Sequence, residues 1–309
     1  MPTPEICILG GTGFVGHSLV QKLADRGYPV KVLTRHRIRH RDLLVLPTVR
    51  LVEGDVFDPA FLAMEFAGCN TVINLIGILN ETRRGPSFDQ AHVQLPGMVA
   101  EACRNQGVTR LLHMSALKAS SGGSSEYLRT KGIGEDRVHQ IGNQRVHVTS
   151  FRPSVIFGAG DSFTRRFARL LRLSPGVLPL ACPGARFQPV WVEDVTDAMV
   201  NALDNYHTYG KRYELCGPKV YTLREIVQYI SRTARIRRYV LGLSAWQSWL
   251  QAVAGELIPG KPFTRDNLHS LRTDSVCSEG FPQVLGVTPT TMESVAWRWL
   301  ASERRSHPR

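Results

Sequence analysis

Residues 6–16 read ICILGGTGFVG, and the fold follows from how this stretch is read. Four apolar residues, Ile6, Cys7, Ile8 and Leu9, run straight into Gly10-x-x-Gly13-x-x-Gly16, and Val15, Leu19 and Leu23 then recur on one helical face. The pattern is strand, glycine turn, helix. Gly10 lets the chain turn sharply off the strand, Gly13 lets the backbone approach a pyrophosphate, and Gly16 lets the helix pack closely on the sheet. The free N–H groups and positive dipole end of that helix, opened by Phe14 and Val15, then face a diphosphate. Glycine-rich turns are common, so the triplet alone is weak. Between a buried first strand and an amphipathic helix it predicts a dinucleotide site.

Further strands and helices alternate from there. PVKVLTR (Pro29–Arg35) is a second strand, and its end should meet the adenosine ribose. No acidic residue stands between Pro29 and Arg41 to bond ribose hydroxyls; instead the chain runs Arg35-His36-Arg37-Ile38-Arg39-His40-Arg41. An arginine there clamps a 2′-phosphate, so Arg35 predicts NADP(H) over NAD(H). No aromatics are interleaved with these charges for base stacking, and no nucleic-acid partner is expected. VRLVEGDVFDP (Val49–Pro59) supplies a third strand with Asp55 and Val56 beside the adenine. NTVINLIGIL (Asn70–Leu79) supplies a fourth, whose Leu75, Ile76 and Gly77 adjoin the cofactor. A helix from about Phe88 to Asn105 carries Pro96 as a kink or a late start. VTRLLHMSAL (Val108–Leu117) is the fifth strand, SSGGSS a loop, EYLRTKGIGEDRV a helix, and VHVTSFRPSVIFG (Val146–Gly158) the sixth strand.

This alternation predicts an α/β fold with a doubly wound parallel sheet of the Rossmann type, covered on both faces, with ligands at the carboxyl ends of the strands. At 309 residues the chain exceeds one ordinary core. Residues 1–158 are expected to form the nucleotide-binding domain. It is completed at about 187–203, where FQPVWVEDVTDAMVNAL reads as one more strand and helix returning to the sheet. Residues 159–186 and 204–309 are left for a smaller, mostly helical lobe.

The chain is 43% apolar, hence globular, and its charge of +12 calls for an acidic partner or a solvated basic surface. Six cysteines lie scattered with no CxxC pair, which predicts reduced, mostly buried thiols and neither a disulfide frame nor a metal site. With no signal or transit segment before the first strand, a cytoplasmic protein is the default expectation.

Tyr127 and Lys131 form YxxxK. On a helix, positions i and i+4 share a face, so phenol and ammonium project together. A tyrosine of pKa about 10 is a poor base at neutral pH, and a neighbouring ammonium lowers that value. Just after the fifth strand of such a fold, this pair is the expected catalytic set, with Lys131 also reaching the cofactor ribose.

Together these residues resemble the short-chain dehydrogenase/reductase superfamily, in its extended or atypical branch, over nearly the whole chain. Within it the chain is most similar to the NADPH-binding accessory subunit family of respiratory complex I, the 39-kDa type, and to its bacterial relatives of the NAD-dependent epimerase/dehydratase kind. GGTGFVG, VINLIGIL, LLHMSAL, SSEYLRTKGIGE, FRPSVIFGAGD, FQPVWVEDV and YELCGPKVYTLREIV carry the resemblance. It implies a cofactor-binding, often structural, component near a quinone and the membrane; related members assist coenzyme Q biosynthesis. It also implies backbone contacts to the nicotinamide from Pro153, Ser154 and Val155. One departure bears on catalysis. Active extended members run two or three serines or threonines at the end of the fifth strand, one bonding the substrate carbonyl. Here the stretch is Ser115-Ala116-Leu117. Ser115 is the catalytic candidate, although the pattern also allows it at the strand end, facing away from substrate. Leu117 cannot donate, and Ser120 or Ser121 is the alternative. Cofactor binding is expected intact and turnover weakened. Three readings stay open: a reductase of a hydrophobic, quinone-like carbonyl; an accessory of a quinone-linked membrane assembly; and, disfavoured by the apolar small lobe, a sugar-nucleotide epimerase or dehydratase.

SRTARIRRYVLGLSAWQSWLQAVAGELIP (Ser231–Pro259) sets four arginines before an apolar run in which Leu243, Trp246, Leu250, Val253 and Leu257 share a helical face. Its glutamines, serines and glycines make it a poor spanning helix. The default expectation is a core helix of the small lobe. The alternative is an amphipathic helix at the inner face of a membrane.

Overall fold

Apolar runs separated by glycine turns and amphipathic helices become a single parallel sheet. The structure is a computed structural model and describes residues 5–82, 85–142, 145–258 and 263–301. Strand β1 (Glu5–Leu9) ends at Gly10, whose φ of +78° suits glycine, and helix α1 (Phe14–Asp25) begins four residues later. A Cβ on Gly16 would lie 2.2 Å from Gly10 O, so the last glycine is what lets the helix close onto the turn.

The nucleotide-binding half continues with β2 (Val30–Thr34), β3 (Val49–Glu53), α2 (Pro59–Phe66), β4 (Cys69–Asn74), α3 (Leu95–Asn105), β5 (Arg110–Met114), α4 (Glu126–Gly142) and β6 (His147–Pro153). Pro96 falls in the first turn of α3, where its missing N–H costs no hydrogen bond, so that helix starts late; a π-turn, Gln90–Gln94, precedes it. Beyond β6 come β7 (Ile156–Phe157), α5 (Ser162–Leu173), β8 (Val177–Leu180), β9 (Arg186–Phe187), β10 (Val190–Trp191), α6 (Val192–Asn201) and β11 (Arg212–Leu215). The chain then adds β12 (Tyr221–Thr222), α7 (Leu223–Thr233), β13 (Tyr239–Gly242), α8 (Ala245–Leu257) and α9 (Arg265–Ser270).

The central sheet has seven parallel strands in the order β11-β6-β5-β4-β1-β2-β3. Alternation along β1 feeds both faces: Ile6 and Ile8 join Leu19, Leu23, Val195 and Met199 in one core, while Cys7 and Leu9 join Phe66, Leu95 and Val99 in the other. A third core, around Phe157, Leu171, Leu178, Ile226 and Ile230, belongs to the small lobe.

Three expectations need correction. The helix at 187–203 does return to the sheet: Lys22 of α1 pairs with Asp197 at 2.6 Å, and the buried Arg110 guanidinium meets Ala202 O and Leu203 O. Its strand does not, because β10 pairs with β7 in a separate two-stranded piece. The last strand of the sheet is β11, inside the stretch assigned to the small lobe. It is a four-residue edge strand with a single buried side chain, Leu215, and no apolar run announces it. Cys216, just past β11, forms a disulfide with Cys277, against the expectation of reduced thiols throughout; the 61-residue separation carries no sequence signal. Cys7, Cys69 and Cys103 are free and buried. Finally, α8 is not a core helix of the expected kind. It buries Ser248, Ala252 and Gly255 and leaves Trp246 67% and Trp249 51% exposed. Pro259 lies outside the described residues.

Candidate cofactor cleft and active site

The strand order reverses between β1 and β4, and ligands of open α/β sheets bind outside the carboxyl ends of the strands at such a point. There the backbone of Leu75 and Ile76 crosses directly over Gly10, since a Cβ on Gly10 would lie 3.1 Å from Leu75 C and 3.2 Å from Ile76 N. Helix α1 presents its N-terminus with no side-chain cap and no acidic residue in its first turn. Its unpaired N–H groups are an anion site. Around Gly13 a Cβ would meet only Gly10 O, at 3.2 Å, so the approach to those N–H groups is open. On these features the turn fits a dinucleotide diphosphate.

Arg35 is exposed immediately past the end of β2. Asp55 and Val56 follow β3, where Asp55 Oδ1 accepts from Phe57 N at 2.9 Å and Val56 is buried. Sequence reasoning missed one acid in this area. Glu53, in register with Thr34 across the β2–β3 ladder, reaches the loop after β2, and its carboxylate accepts from Arg37 N at 2.8 Å. Only strand pairing brings it there.

A cavity of about 400 Å³ continues from this turn, lined by Phe14, Leu75, Gly77, Met114, Ala116, Leu117, Tyr127, Lys131, Pro153, Ser154 and Val155 together with residues 270–271 and 273–275. Most of its side chains are apolar. Ser154 Oγ lies 2.9 Å from both Ser275 O and Ser275 Oγ and so pins the small-lobe segment over the end of β6.

Tyr127 and Lys131 stand one turn apart in the first half of α4, and both face this cavity. Burial pushes the tyrosine up to about 12. Lys131 is buried beside Gly77, its Nζ donating to Met114 O at 3.0 Å; desolvation lowers it to about 8, with Glu135 opposing. His92, from the π-turn, packs edge-on against Tyr127 at 5.5 Å. Its Nε2 accepts from Ile78 N at 3.1 Å, so the proton of the neutral ring sits on Nδ1, aimed at Thr130 Oγ1 at 3.0 Å. Burial, reinforced by Lys131, lowers His92 to about 3. This histidine was not picked out from sequence. The glycine of KGIGE was the available signal: a Cβ on Gly134 would overlap His92 O, so α4 must be bare there to pack on the π-turn. Also unforeseen is Asp266 of α9, whose carboxylate accepts from Glu126 N at 2.7 Å and Tyr127 N at 3.3 Å, capping α4 from the small lobe.

Ser115 lines the cleft, and its hydroxyl is engaged with a buried carboxylate. Ser115 Oγ donates to Glu135 Oε2 at 2.9 Å. Glu135 is fully buried, and Arg152 and Arg212 pair with it at 2.9 and 3.5 Å. Ser120 and Ser121 do not line the cavity; Ser120 Oγ instead accepts from Gly122 N at 3.3 Å.

The profile of the NAD dependent epimerase/dehydratase family matches residues 6–216. The chain belongs to that family. As a member of this family it is an extended short-chain dehydrogenase/reductase and binds NAD(P). The mouse protein named NADH dehydrogenase [ubiquinone] 1 alpha subcomplex subunit 9, mitochondrial, is 33% identical over 316 residues, covering 96% of this chain and 82% of the relative. A ceramide reductase of Caulobacter vibrioides is 32% identical over 63% of this chain and 59% of its own length. Among solved structures, MoeE5 in complex with UDP-glucuronic acid and NAD superposes with a TM-score of 0.74, covering 98% of this chain and 100% of that one. At 18% identity that likeness shows the fold alone. The resemblance read from the sequence motifs is thereby upheld.

Proposed function

We propose that this epimerase/dehydratase-family chain holds NADP(H) and turns it over weakly, serving as a cofactor-binding accessory of a quinone-linked assembly. The observation that carries this reading is the hydrogen bond of Ser115 to buried Glu135, with apolar Ala116 and Leu117 lining the cleft beside it. A polarised carbonyl needs a hydroxyl donor next to the tyrosine. Tyr127, raised in pKa by burial, keeps its proton at neutral pH. The bound nicotinamide would supply hydride chemistry. Gly10, Gly13, the α1 N-terminus and Arg35 would hold the diphosphate and 2′-phosphate, and Lys131 the ribose. The similarity to the respiratory-complex subunit over 96% of the chain supports the accessory role.

A second reading, reduction of a hydrophobic carbonyl, is favoured by Tyr127 and Lys131 facing a largely apolar cavity, and by the likeness to a ceramide reductase. Single-turnover oxidation of bound NADPH, measured with quinone analogues and long-chain ketones, separates the two. The accessory reading expects bound NADPH that survives purification and oxidation no faster than in the Tyr127→Phe variant. Substrate-dependent oxidation that Tyr127→Phe lowers ~10²-fold or more overturns it in favour of the reductase.

A further inference from the structure

We propose that the outer face of the small lobe is a docking surface for an anionic lipid bilayer. The proposal goes beyond the cofactor reading, and none of the residues that carry it touches the cleft.

The first observation is a small sheet with two apolar faces. Strands β8 and β13 run parallel, with Tyr239 opposite Val177 and Leu241 opposite Pro179. Their alternate residues Leu178, Leu180 and Val240 fill the small-lobe core. A half-buried sheet alternates apolar inward with polar outward. Here the outward set is Val177, Pro179, Tyr239 and Leu241, and all four are exposed.

The second observation is that α8 is turned inside out. Trp246, Trp249, Leu250 and Leu257 fall on one helical stripe, and each is more than half exposed. The inward face is the small one, Ser248, Ala252 and Gly255. A helix folding for its own burial would turn its tryptophans inward. The helix adjoins the sheet, because Gln251 Nε2 donates to Pro179 O at 3.2 Å, so strands and helix present one apolar surface. Scattered exposed apolar residues need no explanation, whereas a contiguous surface of this kind marks an interface.

The third observation identifies the occupant. A cavity of about 960 Å³ opens beside the patch, lined by Arg232, Arg235, Arg237 and Arg238 and bounded by Tyr239 of the sheet face. Among the described residues no carboxylate lines it. Arg238 is fixed there, its Nε donating to Ser174 O at 2.7 Å next to the exposed Leu173. A second copy related by a two-fold axis would set this basic cavity against its own like charge. An anionic leaflet answers every part of the surface at once. Phosphates take the arginines, tryptophan and tyrosine rings settle at headgroup depth, and leucines enter the acyl boundary. Among the described residues no helix is long and apolar enough to cross a membrane, so the contact is peripheral.

The test is co-sedimentation of the full chain with phosphatidylcholine vesicles, with and without phosphatidylglycerol. Expected is pelleting with the anionic vesicles that falls steeply as salt approaches ~1 M, where the Debye length is ~3 Å. Replacing Arg235 and Arg237 by Gln should weaken binding about fivefold for each arginine. The Trp246→Ser/Trp249→Ser variant should weaken it on anionic vesicles at any salt. Both variants alter exposed side chains and should keep NADPH binding, which checks their folding. Excess glycerol 3-phosphate should not release the protein; release would assign the arginines to a free phosphate and overturn the bilayer proposal. Absence of pelleting with anionic vesicles at low salt, or pelleting indifferent to both variants, overturns it as well. Self-association abolished by the tryptophan variant, without vesicle binding, assigns the face to a second copy instead.

Discussion

Ser115 and Glu135 are joined by a hydrogen bond of 2.9 Å in which the serine donates and the carboxylate is wholly buried. The carboxylate answers to three groups, Ser115, Arg152 and Arg212, and it ties the end of β5 to α4, β6 and β11. In the proposed reading Ser115 is therefore a structural partner. Ser115→Ala should leave NADPH affinity unchanged and cost about 1–3 kcal/mol in a denaturant melt. Glu135→Ala, which takes its carboxylate partner from Arg152 while Arg212 keeps Asp136 at 2.7 Å, should cost about 3 kcal/mol. A Ser115→Ala variant of normal stability that has lost substrate-dependent turnover would return the serine to catalysis.

Restoring a hydroxyl beside Tyr127 should restore chemistry. Leu117 lines the cleft two residues beyond Ser115, on a chain segment held by the hydrogen bond from Leu117 N to Pro153 O at 3.0 Å. Leu117→Ser is expected to raise carbonyl-dependent NADPH oxidation by roughly tenfold or more, since a placed donor contributes ~10²–10³ at its best. Oxidation that stays at the parent level with Tyr127 intact counts against the missing-hydroxyl explanation.

Arg35 decides cofactor choice in this reading. Arg35→Ala should weaken NADPH about tenfold, about 1.4 kcal/mol, and leave NADH unchanged. Fluorescence titration of both nucleotides measures it. Equal parent affinities for the two would show that Glu53, bonded to Arg37 N on the same loop, has countered the arginine.

The protein should lose stability in mild acid. Burial holds His92 near 3 and His139 near 4 in the fold, against about 6.5 unfolded. Between those values the unfolded chain takes up protons that the native chain refuses. Stability is thus full above about pH 7 and falls as pH drops below about 6.5, by up to ~1.4 kcal/mol per pH unit for each histidine. Denaturant midpoints at a series of pH values check the sign, and His139→Gln should flatten the slope above pH 4. Midpoints that rise on acidification would contradict the buried neutral histidines.

Reduction of Cys216–Cys277 should cost about 2–4 kcal/mol, because the bond closes a long loop in the unfolded chain. The Cys277→Ser variant should melt like the reduced parent. Identical melts of oxidised and reduced protein would mean that the crosslink closes without stabilising the fold.

The parallel sheet, the glycine turn, the succession of strands one to six along the chain and the Tyr127–Lys131 pair were legible in the sequence. Each rests on local periodicity: alternating or continuous apolar runs make strands, glycines at fixed spacing make the turn, and i, i+4 spacing puts two side chains on one helical face. Tertiary structure alone decided the rest. β11 is an edge strand made by its neighbour β6, not by its own apolarity. The disulfide and the Asp266 cap on α4 join residues 61 and 140 positions apart. Glu53 reaches the cofactor loop only through strand register. The partner of the Ser115 hydroxyl is a carboxylate on the next helix, and α8 sets its small face, with Gly255 against the backbone of Phe263, inward and its tryptophans outward. Periodicity says which side chains travel together on an element; which way that element faces is set by contacts between segments that a linear pattern does not encode.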